Sequence, residues 1–340
     1  MSKITITDVA RKAGVSVSTV SRVLNDEKYV KAEKKDAVLQ AVAALNYKPN
    51  LYARSLGGEK SFLIGLLFDD PSGGYLSDMQ RGAMKACQRA GYHLVVELFN
   101  QDNKEGIDRF LDTLSLQGVI LAPPVCDNPQ VLDALAKRNI PVVRISPSED
   151  YEGTASIGID NYKAASILVN YLISLGHSKI GFIKGDPDHA DAIERHQAFT
   201  DSMKKHSLTI NPEWTRVGNY TFESGLNCAI GILSNPDRPT AIFASNDEMA
   251  ASVITIANKF GIRVPEDLSI VGFDDLAIAT LISPSLTTIH QPVEKMAELA
   301  VERILDLRNS DDEEFYEPQI LESEFVMRRS TTNAPVIGSK

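Results

Sequence analysis

Ser18, Ser21, Arg22 and Asn25 stand within eight residues, on the outer side of a segment whose inner side is Val20, Val23 and Leu24. Short hydroxyl and amide groups beside one guanidinium are the chemistry that the edges of DNA base pairs ask for. The elements that must position them surround them. Ile6, Val9, Ala10 and Ala13 repeat at helical spacing, and Val20, Val23 and Leu24 do the same. Gly14 falls where the first helix must end and the chain turn sharply, a place for a residue without a Cβ. Ser16 is placed to cap the second helix, and Thr5 with Asp8 has the spacing of a capping box for the first. A third helix, from about Ala32 to Leu45, turns Ala37, Val38, Ala41, Val42 and Leu45 to one side and closes a small core under the pair. An ordinary helical hairpin shares the spacing but not the polar outer face, so the segment reads as a DNA-reading helix-turn-helix.

The charge is divided to match. The formal net charge is −10, yet residues 1–60 hold 11 Lys/Arg against 6 Asp/Glu, leaving 24 against 39 for the rest. A basic head on an acidic body meets phosphate with one end only. With 340 residues, 43% of them hydrophobic, the chain can bury more than one core. No run approaches the ~20 apolar residues of a membrane helix, and the N-terminus lacks the apolar segment of a signal peptide. A cytoplasmic protein with no membrane partner is expected. Cys87, Cys126 and Cys228 are widely spaced without a metal-ligand pattern and read as small buried hydrophobes. Neither a metal nor a cofactor is expected.

Pro49 ends an extended link, and Asn50 is placed to cap a short segment, Leu51 to Leu56, before Gly57-Gly58 breaks it. From Phe62 the pattern changes. Ten strand-like runs begin near Phe62, His93, Val119, Val142, Ile157, Ile180, Arg216, Ala241, Ile270 and Thr287, and helical stretches separate most of them. Such alternation makes parallel sheets covered on both faces. Ten strands exceed one comfortable sheet, so two doubly wound lobes of about five strands each are expected, parting near Asp160. Ligands of these sheets bind beyond the carboxyl ends of the strands. The residues there are Asp69, Asp70, Ser146, Asp186, Asn246, Asp247, Asp274 and Asp275, with Tyr75 and Tyr220 nearby. Any one of them serves equally well as a helix cap. As a set they suit a polyhydroxylated sugar, whose hydroxyls donate to carboxylates and amides.

These residues resemble the lactose-repressor (LacI/GalR) family of bacterial transcription regulators over nearly the whole chain. In the head the likeness rests on Asp8-Val9-Ala10, Gly14-Val15-Ser16, Thr19 through Asn25, and Asn46-Tyr47-x-Pro49-Asn50-x-x-Ala53-Arg54-x-Leu56. In the body it rests on Arg195 within Glu-Arg-x-x-Ala-Phe, Ser245-Asn246-Asp247, Val271 through Asp275, and Leu286 through Pro292. The resemblance implies that Val17, Ser18 and Arg22 read bases in the major groove. It implies DNA contact by Thr5, Ser16, Thr19, Ser21, Asn25, Tyr47, Asn50, Ala53 and Arg54 as well. Leu51–Leu56 is then a hinge helix with Leu56 as a wedge in the minor groove. The effector residues implied are Asp69, Tyr75, Ser146, Arg195, Tyr220, Asn246, Asp274 and Gln291. Two departures stand out: Ser146-Pro147 replaces the Asp-Arg of many monosaccharide-responsive members, and Lys31 replaces a Ser or Thr cap.

The fold expected is therefore a small all-α head with an α/β body like that of periplasmic binding proteins. The head covers residues 1–49, the hinge and linker 50–60, and the body 61–340. One lobe takes about 61–160 and 292–320, the other about 161–291 and 321–330. Its function is expected to be that of a homodimeric repressor that binds a pseudo-palindromic operator, controlled by a sugar or oligosaccharide. The stretch after Met327 shows no apolar heptads, which favours a dimer over a coiled-coil tetramer. A regulator of nucleoside or purine genes that depends on a corepressor is the alternative. The sugar is preferred to it because the strand ends are rich in Asp and show little sign of a flat aromatic sandwich. An enzyme finds no support, since the chain lacks a Walker loop, a metal-spaced His/Cys set and a Gly-x-Ser-x-Gly elbow.

Overall fold

The structure is a computed structural model describing residues 4–24, 30–47, 61–69, 73–99, 104–309 and 316–335. Asn25, Asn50, Ala53, Arg54, Leu56 and Asp70 lie outside the described residues. The chain divides into two units, residues 1–63 with 111–117, and residues 64–110 with 118–340.

The first unit holds α1 (Ile6–Ala13), α2 (Val17–Leu24) and α3 (Ala32–Leu45). Val9, Ala10, Val20, Val23, Val38, Ala41 and Tyr47 form its core, so each helix contributes the apolar face its spacing announced. Gly14, at φ +65°, ends α1 in the left-handed conformation and hydrogen-bonds back to the Ala10 carbonyl. As the sequence suggested, Lys31 supplies no side-chain cap to α3.

The second unit contains two α/β lobes. The first carries β1 (Leu63–Phe68), α4 (Gly73–Ala90), β2 (His93–Leu98), α5 (Lys104–Thr113), β3 (Val119–Leu121), α6 (Pro129–Ala136), β4 (Val142–Ile145) and β5 (Ala155–Ile159). The second carries α7 (Asn161–Ser174), β6 (Ile180–Lys184), α8 (Ala190–Lys205), β7 (Thr215–Val217), α9 (Phe222–Leu233), β8 (Ala241–Ala244), α10 (Asp247–Lys259), β9 (Ser269–Val271) and α11 (Ile278–Leu281). There follow β10 (Thr288–His290), α12 (Val293–Leu307), β11 (Gln319–Leu321) and β12 (Glu324–Val326). None of the described helices is long and apolar enough to cross a membrane.

The doubly wound α/β body is as expected, but the division into five strands and five is not. One sheet has six strands in the order β11-β5-β4-β3-β1-β2, the other four in the order β7-β6-β8-β9, and β10 pairs with β12 in a two-stranded ribbon. The chain crosses between the lobes three times, after β5, after β10 and after β11. The last crossing adds β11 in parallel beside β5 and then β12 antiparallel to β10. Both strands are short, and Gln319 and Glu324 give them a polar, partly exposed character that hides them in sequence. The central strands β3, β4, β5 and β8 are wholly buried, which is why they read as largely apolar runs, interrupted by Arg144 in β4 and Ser156 in β5.

Helix α12 went unrecognised in the sequence, although Met296, Ala297, Ala300, Val301 and Ile304 bury one helical face. It packs on α4 and over β3, β4 and β5. The two helices approach so closely at Gly82 that a Cβ there would collide with the Glu294 carbonyl. Around this contact Arg81 and Lys85 reach Glu294 at 2.6 and 2.5 Å. Exposed pairs of this kind contribute about 0.2–1 kcal/mol each, less than the ~1–3 kcal/mol at stake in overpacking a close helix crossing. The backbone approach, not the ion pairs, therefore sets this packing. Gly82→Ala should lower body stability by about 3 kcal/mol in urea unfolding, and Glu294→Ala, which breaks both pairs, by under about 2 kcal/mol. The reverse ranking would show that charge holds the two helices together.

Candidate functional site

In the head the outer face of α2 is built by its caps. The Asp8 carboxylate accepts the Thr5 amide at 3.0 Å and the Thr5 hydroxyl at 2.8 Å, which fixes the start of α1. Those bonds hold the Asp8 carboxyl below the usual range. Ser16 Oγ accepts the Thr19 amide at 3.2 Å and lies 2.8 Å from both the Ser18 and Thr19 hydroxyls. With Val20 and Val23 facing inward, α2 leaves Ser18 and Arg22 exposed and Thr19 and Ser21 half-exposed. Val17 is 42% exposed, an apolar group with no core to join. Tyr47, implied as a DNA contact, packs its ring into the head core and is only 8% exposed.

In the body a cavity of about 50 Å³ lies between the lobes, beyond the carboxyl ends of the strands. Phe68, Asp69, Tyr75 and Ser146 line it from the first lobe, and His189, Asp191, Arg195, Tyr220, Asn246, Asp274 and Gln291 from the second lobe and its crossing. At its centre is Arg195, only 2% exposed. Its Nε and Nη2 donate to Asn161 Oδ1 at 3.1 and 2.9 Å, and Nη1 donates to the Ser245 carbonyl at 2.6 Å. Nη2 pairs with Asp191 at 3.0 Å, while Asp274 lies 3.9 Å from Nη1. The guanidinium lies 3.7 Å from the centroid of the Phe273 ring.

One guanidinium thus faces two carboxylates. Asp191 is the closer and also accepts the Tyr220 hydroxyl at 3.1 Å. Asp274 accepts the Gln291 amide at 2.6 Å but is only 6% exposed. Burial pushes its carboxyl up to about 7, against the pull of Arg195 and Gln291 and with the push of Asp191 and Glu248. The Tyr75 and Tyr220 hydroxyls are raised chiefly by burial, and next by Asp191. Ser146, Tyr220 and Asp274 all adopt positive φ, at +46°, +67° and +107°. For residues other than glycine such conformations are strained, and strain of this kind concentrates at functional sites. Ser146 Oγ is buried without a hydrogen-bond partner among the described residues.

All eight residues implied as effector contacts line this cavity. Several other strand-end acids do not. Asp247 accepts the Leu276 amide at 2.8 Å and the Thr288 hydroxyl at 2.7 Å, Asp275 pairs with Arg328 at 2.6 Å, and Asp186 caps the Asp188 amide at 3.0 Å. Asn246 lines the cavity while capping α10 through the Met249 amide and holding the Tyr220 carbonyl. The wall is correspondingly less acidic and more aromatic than the sequence suggested, with Phe68, Tyr75 and Tyr220 joined by Leu76, Met79 and Pro123. Sequence reasoning missed Asp191. Its signal was the spacing of four residues to Arg195, which puts both on one face of α8.

Residues 5–50 match the model of the bacterial regulatory proteins of the lacI family, and residues 169–331 match a periplasmic binding protein-like domain. The chain is 36% identical over 313 residues to the HTH-type transcriptional repressor PurR of Pasteurella multocida, covering 91% of this chain and 93% of that one. To the repressor of the same name from Photorhabdus laumondii it is 34% identical over 341 residues, 98% of each chain. Among solved structures, the lac repressor dimer bound to operator and the anti-inducer ONPF superposes with a TM-score of 0.82 at 28% identity. That likeness covers 97% of this chain and all of that one.

The Asp274 carboxyl yields a pH test. Unfolded, it releases its proton near 3.8; folded, it holds it to about 7. The folded state therefore binds more protons between those values, and stability falls as pH rises through that window. Asp274→Asn removes this contribution, whereas Asp247, also raised by burial, remains in both proteins. The Tm of Asp274→Asn relative to the unaltered chain should climb from pH 5 to 7 and level off above. A gap that stays constant from pH 5 to 8 would contradict the buried-acid assignment.

Proposed function

The chain belongs to the lacI family of bacterial regulatory proteins and is a DNA-binding transcriptional repressor, and from that premise we propose that a purine-type ligand in the interlobe cavity sets its operator affinity. The observation that carries the ligand class is the aromatic wall of Phe68, Tyr75 and Tyr220 around the buried Arg195–Asp274 pair. Aromatic faces take a planar heterocycle, and the Asp274 carboxyl, which Arg195 does not fully match, presents a polar group to its edge. Relatives bearing the name PurR support the same class. The sugar reading loses ground because Asp186, Asp247 and Asp275, three of the acids that argued for it, satisfy the protein's own hydrogen bonds.

The cavity's size supports a mechanism. About 50 Å³ is less than the ~150 Å³ that takes a benzene ring, so a base enters only as the lobes part. A ligand that touches Tyr75 on one lobe and Tyr220 on the other favours the lobe spacing that accommodates it. Through segment 50–56, which joins head to body in sequence, that spacing governs how two heads engage an operator. Two copies are required to read inverted half-sites. Val96 and Leu98 on β2 and Leu281 on α11, the last 83% exposed, are apolar groups that a second copy would cover.

On DNA selected from a random pool, Arg22→Ala should weaken specific binding by about 5- to 150-fold, the loss of a bidentate base contact. Binding to non-specific DNA should change little. Equal loss on both would make Arg22 a phosphate contact. In thermal-shift titrations adenine, guanine or hypoxanthine should raise the Tm, and Tyr220→Ala should abolish the rise. A response to monosaccharides alone would overturn the purine reading.

A further inference from the structure

A second cavity, of about 220 Å³, adjoins the first and shares Ser146 and Asp191 with it. Its chemistry differs. Glu149, Asp150, Asp191 and Glu194 face it, with no aromatic residue and no Lys or Arg among the described residues that line it. One wall is held rigid from behind by Arg144, only 2% exposed. Its guanidinium donates to the Glu149 carbonyl at 2.5 Å, the Thr154 hydroxyl at 3.0 Å and the Cys126 carbonyl at 3.3 Å. Asp127, itself paired with Arg144 at 3.3 Å, accepts the Ser148 amide at 2.9 Å. The boundary between the two cavities is Ser146, held at φ +46°, with its buried hydroxyl unpaired.

We propose that this outer cavity is a second subsite, which takes a neutral hydroxyl-bearing ring attached to the group in the inner cavity, so that the effector is a glycosylated molecule. The proposal rests on the interlobe cavity being the ligand site. A volume of about 220 Å³ exceeds the ~150 Å³ needed by a benzene-sized ring, so one furanose or pyranose fits where the inner cavity alone has no room for it. Carboxylates accept hydroxyl protons in short, charge-assisted bonds, and Ser146 Oγ gains the partner it lacks where the two rings join. Asp191 is offset by Arg195, but Glu149, Asp150 and Glu194 repel phosphate and no cation among the described lining residues offsets them, so a nucleotide is excluded where a nucleoside is admitted. The shared chemistry is a neutral glycosyl group, and its source is either a nucleoside or a disaccharide.

Isothermal titration of the full-length protein with adenine, adenosine and AMP, and with glucose and cellobiose, tests this. Adenosine should bind at least 10-fold more tightly than adenine, and AMP at least 10-fold more weakly than adenosine. Glu194→Ala should bring adenosine down to the affinity of adenine and leave adenine unchanged, which also shows that the variant is folded. Cellobiose binding more tightly than glucose, with no response to any purine, would uphold the subsite and overturn the purine reading. Adenine binding as tightly as adenosine would overturn the subsite and leave the purine reading standing. No gain from the added ring in either pair, including no binding at all, overturns the subsite.

Discussion

A single buried guanidinium is the constraint on which the body depends. Arg195 binds Asn161 at the start of α7, the Ser245 carbonyl after β8, Asp191 one turn earlier on α8, and lies near Asp274 after β9. Four segments of the second lobe are thereby fixed relative to one another at the edge of the cavity. Taking this charge out of water is tolerable only because its donors are met; stripping one partner from such a buried pair costs about 3–5 kcal/mol. With Asp191 as its nearer counter-charge, Arg195 cannot fully offset Asp274 as well. The unmatched acid is left in the wall, and that mismatch is the chemical character of the cavity.

Around this centre the backbone is bent to fit. Asp274 and Asp275 both take positive φ, and Gly272 just before them has no Cβ because Asp247 Oδ1 occupies that space. Asp247 in turn ties the Leu276 amide to the Thr288 hydroxyl and so joins the strand-end turn to β10, on the path back to the first lobe. Strained residues of this kind cost about 1–3 kcal/mol each and persist where surrounding contacts over-determine them. Here those contacts are the hydrogen bonds of Asp247, Gln291 and Arg328. The ligand wall and the interlobe crossing are thus parts of one network, which is the physical ground for linking occupancy to lobe spacing.

Much of this was legible in the residues, for reasons that differ by element. The head's three helices follow from apolar spacing, Gly14 and the Thr5–Asp8 box, all local signals. The buried parallel strands announced themselves as apolar runs. What stayed hidden depends on partners distant in sequence. Strands β11 and β12 are three residues each and are strands only because β5 and β10 lie beside them. Strand-end acids look alike in sequence, yet Asp247 and Asp275 serve the fold whereas Asp274 faces the cavity, and only the turn geometry separates them. Tyr47 carries a motif position suited to DNA but packs inward. Of the aromatic wall, Tyr75 and Tyr220 were named from the sequence and Phe68 was not, because it ends the apolar run of β1 and meets Tyr220, 152 positions away, only across the cleft.

If the cavity and the operator are coupled, the coupling is reciprocal, as it is between any two binding sites. The most direct measurement is a closed thermodynamic cycle: operator affinity with and without saturating purine, and purine affinity with and without saturating operator. The same factor, different from one, should appear along both edges and be lost in Tyr220→Ala. A purine that binds the cavity with one affinity, whether or not operator is present, would contradict it.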